Sequence, residues 1–115
     1  EEGIRHETPF QVTYRTTCSG ATELSGVRLD GDIKVGVFLG AANRDPRRFE
    51  SPAEFRLDRS NSREHIAFGR GAHSCPGAPL ARAEGRISIE RILDRMRDIR
   101  LSDEHHGPAG ARHVR

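Results

Sequence analysis

The 115-residue sequence predicts a mainly α-helical fold with small β-sheets. Two patterns carry this prediction. Apolar and polar residues alternate in the first third of the chain, which is typical of strands, and apolar residues recur at helical spacing near the carboxyl end. Between them lies a region rich in proline, aspartate, asparagine and arginine, which is typical of irregular backbone. We therefore expect the end of one helix, a β-hairpin region, an irregular meander, a glycine-rich loop and a long C-terminal helix.

The first elements follow from local signals. Residues 1–6 are predicted to be the last turns of a helix that closes before Pro9, because the residue before a proline is disfavoured in the α conformation. In residues 10–17, apolar side chains occur at every second position over part of the segment, which predicts a strand. Its apolar side would consist of Phe10, Val12 and Tyr14.

Residues 21–39 predict a hairpin. Its first arm would be residues 24–29, its turn Asp30-Gly31, and its second arm the apolar run of residues 35–39. Residues 40–63 follow as the irregular region, with short helical turns at most.

Residues 79–100 form the predicted long helix. Its apolar residues recur at i, i+3, i+4 and i+7, which indicates a buried stripe in a complete fold. They are Ile89, Ile92, Leu93 and Met96. In a chain without the packing partners of that fold, we expect the same stripe to be exposed.

One cysteine, Cys75, lies in a glycine-rich loop directly before this helix. Gly69 and Gly71 precede it and Gly77 follows it, so the backbone can pass close to a flat and bulky group. Pro79 suits a first helical turn, and a thiol near a helix N-terminus is favoured as the thiolate. A thiolate is a soft metal ligand, and haem iron is one of the few metals that accepts a single protein thiolate.

The loop resembles the haem-binding segment of the cytochrome P-450 family, the haem-thiolate monooxygenases. The family pattern is Phe-x-x-Gly-x-His-x-Cys-x-Gly-x-x-Leu-Ala-Arg, and every specified position is matched. The matching residues are Phe68, Gly71, His73, Cys75, Gly77, Leu80, Ala81 and Arg82. A pattern with this many fixed positions is far more specific than a short glycine motif.

A second match lies at the other end of the chain. Residues 2–5, Glu-Gly-Ile-Arg, reproduce the family's Glu-x-x-Arg element, whose two charged residues share one helix face. Alone, such a pair would be an ordinary surface ion pair. Weaker matches follow in the order seen in bacterial members, and together they extend the resemblance over about residues 1–111. They are residues 8–10, 15–17, 42–49, 55–59 and 65–68.

The resemblance implies a single incomplete domain over residues 1–115, the C-terminal, haem-binding part of the cytochrome P-450 fold. The family's larger N-terminal part, with the helix that helps deliver protons to bound oxygen, is not found here. Only 34% of the residues are hydrophobic, against about 45–50% on a slightly different residue set in average domains. We therefore expect a fragment that is inactive by itself.

Composition excludes other classes. The net charge is +2, with 19 basic and 17 acidic residues, which is no nucleic-acid footprint. Two cysteines, Cys18 and Cys75, suggest a reducing compartment, and we expect a cytoplasmic location. No apolar run approaches the roughly 20 residues of a membrane span.

The resemblance implies haem b, iron protoporphyrin IX, as the cofactor, with Cys75 as the axial iron ligand. Phe68 would pack beside the ligand and shield it from water. The glycines of the loop would let backbone N–H groups point at the sulfur and temper its basicity. They are Gly69, Gly71 and Gly77. No further catalytic residue is expected within the chain.

His73 and Arg15 occupy positions where relatives place donors to the haem propionates, although the register around Arg15 is open by one residue. Glu2, Arg5 and Arg59 would form the structural ion-pair triad that fixes the loop under the haem. Arg56 and Arg63 are alternative candidates for the place of Arg59 in this triad.

The implied partners are a ferredoxin and its reductase, or a similar electron donor, docking near Arg70 and Arg82. The implied substrates are O2 and a small organic molecule whose class this part of the chain does not specify. Two alternatives stay open: a non-catalytic remnant, and a small zinc-stabilised binding module. The zinc ligands would be His65, His73, Cys75 and Cys18, although their spacings are not those of ordinary structural zinc sites.

Overall fold

The computed structural model describes residues 1–100. The end of the predicted domain, residues 101–115, lies outside the described part. Residues 1–78 form one compact unit, and a second unit begins at Pro79. In chain order the helices and strands are α1 (Glu2–His6), β1 (Val12–Thr16), β2 (Thr22–Leu24), β3 (Val27–Leu29), β4 (Lys34–Phe38), α2 (Leu39–Ala42) and α3 (Ala78–Arg95). Small antiparallel sheets and one long helix are thus present, as predicted.

The two sheets are two-stranded and antiparallel. Strand β1 pairs with β4, so that Val12 lies opposite Phe38, and β2 pairs with β3. Strand β1 begins at Val12 and not at Phe10. Phe10 and Tyr14, two residues of the predicted apolar side, are exposed.

The predicted hairpin pairing was wrong. The hairpin turn is Ser25-Gly26, where both residues have positive φ, 51° and 80°. Positive φ at both central positions is the requirement of a type I′ turn, whose twist matches that of two paired strands. Gly31 has a different role, because a side chain there would overlap the carbonyl of Ser19. The Asp30-Gly31 pair therefore marks a close approach of two backbone segments and not a strand reversal.

The interior of the first unit is mostly polar. Within the described residues the buried hydrophobic side chains are Leu39, Phe49 and Ala78. More polar than apolar residues are buried, namely Glu2, Arg5, Thr8, Asn43, Arg59 and His65. The guanidinium carbon of Arg5 lies 5.2 Å from the centroid of the Phe49 ring, a cation–π contact inside the core. Hydrogen bonds and ion pairs therefore hold this unit as much as apolar burial does.

The meander between α2 and the cysteine loop is irregular. Its regular structure consists of a 3-10 turn at Ser62–Glu64, which follows the end of α2 at Ala42. The backbone here is instead tied by turns such as the one that joins the Phe49 N–H to the Asp45 carbonyl at 2.9 Å.

Helix α3 is shorter than predicted. It ends at Arg95, and the N–H of Met96 makes the last helical bond, to the Ile92 carbonyl at 2.8 Å. Asp98 then has a φ of 58°, which no right-handed helix can continue through. The predicted stripe on this helix is exposed in this chain, with Leu93 64% exposed. None of the helices within residues 1–100 is long and apolar enough to cross a membrane.

Candidate functional site

Residues 68–77, the cysteine loop, close on themselves through backbone hydrogen bonds. The N–H of Cys75 donates to the Phe68 carbonyl at 2.8 Å, and the N–H of Ser74 donates to the Gly71 carbonyl at 3.0 Å. Gly69 and Gly71 have φ values of 73° and 83°, which an L side chain adopts only with strain. Two glycines are therefore required for the path that brings Cys75 back to Phe68.

The thiol of Cys75 is exposed, unlike that of an ordinary structural cysteine. Its carbonyl accepts the N–H of Ala78, the first residue of α3, at 3.3 Å. A Cβ added at Gly77 would lie 3.8 Å from the Cys75 Sγ, so the backbone of Gly77 runs alongside the sulfur. The loop thus holds a sulfur at the surface, between a closed turn and the start of a helix.

The donor set around Cys75 fits haem better than zinc. Within residues 1–100 no group of three His, Cys, Asp or Glu side chains could hold a metal ion. His65, one of the ligands in the zinc hypothesis, is buried and bound to Glu1 instead. A structural zinc needs four protein ligands, whereas haem iron already carries the four porphyrin nitrogens and takes one thiolate.

The two predicted propionate donors lie at the surface. His73 ends a 3-10 turn at Gly71–His73 and is exposed. Arg15 is exposed on β1, where its Nη1 donates to the Tyr14 carbonyl at 2.8 Å and to the Thr13 hydroxyl at 3.2 Å. Within the described residues, the guanidinium of Arg15 therefore binds its own strand.

Glu2, Arg5 and Arg59, the charge cluster, come together in the interior. Arg5 donates to Glu2 through two nitrogens, at 2.7 Å to Oε2 and 2.8 Å to Oε1, which is the bidentate geometry of a strong arginine–carboxylate pair. The Nε of Arg59 donates to Glu2 Oε1 at 3.0 Å. All three residues are buried, and Arg5 is 0% exposed.

The two competing arginines lie elsewhere. Arg56 reaches Glu2 with its backbone N–H, at 3.0 Å, while its guanidinium pairs with the exposed Asp58 at 3.4 Å. Arg63 is exposed in the 3-10 turn. The geometry therefore selects Arg59 for the third place in the cluster.

The remaining donors of the two buried arginines are used by backbone carbonyls of the meander. Arg5 donates to Asn43, Pro52 and Glu54, and Arg59 donates to Glu50, Ser51 and Glu54. Within the described residues no buried side-chain nitrogen or oxygen lacks a hydrogen-bond partner. Because every buried charge is satisfied, the cluster can fix α1 against residues 50–54.

The cluster holds Glu2 in its charged form. The hydrogen bonds from the Arg5 guanidinium are the largest cause, and they lower the pKa of Glu2 from 4.5 to about 2. Burial of the carboxylate raises the pKa and partly opposes this effect, whereas the Arg56 N–H and the Arg59 side chain lower it further.

Three buried polar residues near the cluster were not assigned a supporting role from the sequence: Thr8, Asn43 and His65. The Thr8 hydroxyl donates to the Arg5 carbonyl at 3.0 Å and accepts from the Asn43 amide at 2.8 Å. The Asn43 side-chain oxygen in turn accepts the backbone N–H of Ile66 at 2.8 Å. Periodicity cannot reveal such residues, because each is buried singly in irregular backbone.

Comparison with known proteins places the chain among bacterial relatives. A family model described as cytochrome P450 matches residues 1–103. Cytochrome P450 144 of Mycobacterium tuberculosis is 50% identical over 103 residues, which cover 90% of this chain and 24% of that protein. The substrate-free structure of Mycobacterium marinum cytochrome P450 CYP150A6 matches 93% of this chain and 26% of that chain, with 55% identity and a TM-score of 0.88.

A further solved structure is P450BioI in complex with an acyl carrier protein ligated to hexadec-9Z-enoic acid. It is 42% identical, with a TM-score of 0.78, and the match covers 83% of this chain and 24% of that chain. The chain therefore spans about a quarter of the length of each of these relatives.

Proposed function

The chain belongs to the cytochrome P450 family, and from that membership we propose that the full-length protein is a haem-thiolate monooxygenase in which Cys75 would bind the haem iron. The observation that carries the proposal is the exposed thiol of Cys75, held at the end of a closed glycine loop. Haem b is the proposed cofactor. When bound, it would use O2 and electrons from a donor to oxidise an organic substrate, and a thiolate ligand favours cleavage of the O–O bond.

The cysteine loop is suited to present one sulfur to a flat group. Gly71 has open space where a side chain would lie, and Gly77 keeps its backbone beside the sulfur. We assign to the backbone N–H groups near Sγ the tempering of its basicity, as outer hydrogen bonds do at other metal sites. Phe68 would cover the sulfur from water, and its carbonyl already holds the Cys75 N–H.

His73 and Arg15 are the proposed donors to the haem propionates. Both side chains are exposed, so both can reach a group bound at the surface of this unit. The present bonds of Arg15 to its own strand are solvent-exposed and therefore cost little to exchange for a carboxylate. Arginine can bind a propionate with two parallel hydrogen bonds.

The charge cluster is proposed to support the loop from the interior. Arg5 and Arg59 fix residues 50–54 through the carbonyl bonds described above, and Asn43 extends the same network to Ile66, just before the loop. We assign to Glu2, Arg5 and Arg59 the role of fixing the loop under the haem.

A ferredoxin with its reductase is the proposed electron donor, in a cytoplasmic setting. Arg70 and Arg82 are each exposed, and the partner is proposed to dock near them. The substrate is proposed only as a small organic molecule.

The test is the absorption spectrum of the reduced, CO-treated full-length protein. We expect the red-shifted band of a haem-thiolate complex, which Cys75→Ser or Cys75→His abolishes. Cys18→Ser is the matched control, because Cys18 is the other exposed cysteine of the chain. A red-shifted band that survives in Cys75→Ser would contradict the assignment.

Residues 1–115 alone are expected to bind added hemin weakly and to show no coupled turnover. The apolar side chains of α3 are exposed in this chain, so we also expect the isolated chain to aggregate. The measurement is substrate-dependent NAD(P)H consumption with a ferredoxin and its reductase, together with product analysis. Coupled turnover that disappears in Cys75→Ser would show that these residues suffice for catalysis.

A further inference from the structure

His65 is a buried histidine whose two ring nitrogens are both bound, and it lies just before the cysteine loop. Its side chain is 1% exposed. The backbone N–H of Ala67 donates to Nδ1 at 3.2 Å. Because a backbone N–H can only donate, Nδ1 must be the acceptor, and the ring proton is on Nε2. Nε2 therefore donates to the Glu1 Oε2 at 2.9 Å.

A continuous series of contacts joins this ring to the candidate iron ligand. The His65 ring lies against the Phe68 ring, with centroids 5.9 Å apart at an angle of 50°. The Phe68 carbonyl accepts the Cys75 N–H at 2.8 Å. The path from Glu1 to Cys75 thus consists of two hydrogen bonds and the contact between the His65 and Phe68 rings. The Ala67 N–H is bound to the same His65 ring.

The segment between His65 and Phe68 is also fixed from the other side. The side-chain oxygen of Asn43 accepts the N–H of Ile66 at 2.8 Å, and the Ile66 carbonyl accepts the N–H of Gly69 at 2.8 Å. A ring that loses its own anchors would therefore shift Phe68 without releasing the whole segment. Loss of the His65 hydrogen bonds is therefore expected to change the orientation of the loop without unfolding the protein.

We propose that His65 is a positioning residue for the thiolate ligand, with Glu1 as its anchor. Glu1 fixes the ring, the ring fixes Phe68, and Phe68 sets the direction in which Cys75 presents its sulfur. This inference rests on the proposed function, because it requires Cys75 to be the iron ligand. Both residues are proposed to act through the loop and not through a direct bond to the sulfur.

The test uses the full-length haem protein and three substitutions of His65. His65→Phe keeps a ring against Phe68 and removes both hydrogen bonds. His65→Gln places an amide nitrogen near the position of Nε2 and can restore the bond to Glu1, while His65→Asn can restore the acceptor for Ala67. The readout is the ratio of red-shifted to unshifted ferrous-CO complex, measured with haem content and melting temperature.

We expect His65→Phe to lower this ratio roughly tenfold, which is the lower end of the loss in metal affinity or activity when a hydrogen-bond partner of a metal ligand is removed. His65→Gln should recover most of the loss. Glu1→Ala keeps the imidazole but removes the carboxylate that anchors it, and it should lower the ratio in the same direction. Should His65→Phe fail to fold, Glu1→Ala decides the question, and a wild-type ratio in that variant overturns the proposal.

Thr8→Val is the control for a merely structural effect. Thr8 is buried, and its substitution removes two hydrogen bonds, one to the Arg5 carbonyl and one from the Asn43 amide. Neither of these bonds involves a residue of positions 65–77. We expect a lower melting temperature and an unchanged ratio. If Thr8→Val lowers the ratio as much as His65→Phe does, His65 has no special role in positioning.

Two kinds of outcome separate this inference from the proposed function. A wild-type protein without the red-shifted band, or a band that persists in Cys75→Ser, contradicts the proposed function itself. A normal band in the wild type that persists unchanged in His65→Phe contradicts only the role of His65.

Discussion

The charge cluster and the cysteine loop are built on opposite principles. The cluster is buried, its charges are paired, and its spare donors are used by backbone carbonyls. The loop is exposed, its sulfur is at the surface, and its shape depends on backbone bonds and two glycines with positive φ. The chain thus keeps its buried ion pairs in one region and an accessible thiol in another, which is the division of roles proposed above.

The largest effects should come from breaking the cluster. Arg5→Ala or Glu2→Ala in the full-length protein is expected to lose haem and solubility together, because the partner is left buried with an uncompensated charge. Removal of one partner of a buried ion pair costs about 3–5 kcal/mol. The measurements are soluble yield, haem content per protein and melting temperature.

Arg44→Ala is the matched control for Arg5→Ala. Its guanidinium also binds a carbonyl of α1 and a carboxylate, His6 O at 2.6 Å and Glu7 at 3.1 Å, but in an exposed position. We expect normal haem content for this variant. Normal haem content and an unchanged melting temperature in Arg5→Ala would contradict the supporting role of the buried charge cluster.

The next effect is a dependence of stability on acid pH. The pKa of Glu2 is lowered from 4.5 to about 2, so the folded state binds the proton less readily than the unfolded state. The stabilisation is therefore complete above about pH 4.5 and is lost as the pH falls through about 2. The difference between these two values corresponds to roughly 3 kcal/mol.

Melting temperatures from neutral to acid pH measure this dependence. Glu2→Gln should be less stable at neutral pH and should lose less stability on acidification. Asp58→Asn is the control, because Asp58 pairs with Arg56 at the surface, where ion pairs contribute little. Equal acid sensitivity in the wild type and in Glu2→Gln would show that Glu2 is not the responsible group.

The smallest effect is expected for an exposed arginine that lies close to a buried one in the same segment. Arg56→Ala removes an exposed pair and should cost less than about 1 kcal/mol. Arg59→Ala, a few residues away, removes a donor to Glu2 and to three carbonyls and should cost several times more. Free energies of unfolding measured with denaturant compare the two variants. A similar loss in both would contradict the choice of Arg59 over Arg56.

Short-range signals in the sequence carried most of what could be predicted. The cysteine loop is a pattern of fixed spacing, and Glu2 with Arg5 is a pair on one helix face, so both could be located from neighbouring residues. Arg59 could not be separated from Arg56 by spacing alone, because only the folded meander determines which guanidinium turns inward. His65 could be considered only as a zinc ligand, since its partner Glu1 lies at the far end of the chain.

The errors in the fold have equally local causes. Asp30-Gly31 has the composition of a hairpin turn, but so does Ser25-Gly26, and only the pairing of β1 with β4 decides between them. No glycine or proline follows the end of helix α3 directly, so the sequence contains no helix-stop signal at Arg95.

Iron K-edge X-ray absorption of the full-length haem protein reports the atoms bound to the iron, so it tests directly whether Cys75 is the iron ligand. We expect one sulfur ligand in the wild type and in Cys18→Ser, and none in Cys75→Ser. A spectrum of the wild type without a sulfur ligand, or a sulfur ligand that remains in Cys75→Ser, would contradict the assignment of Cys75 as the ligand of the haem iron.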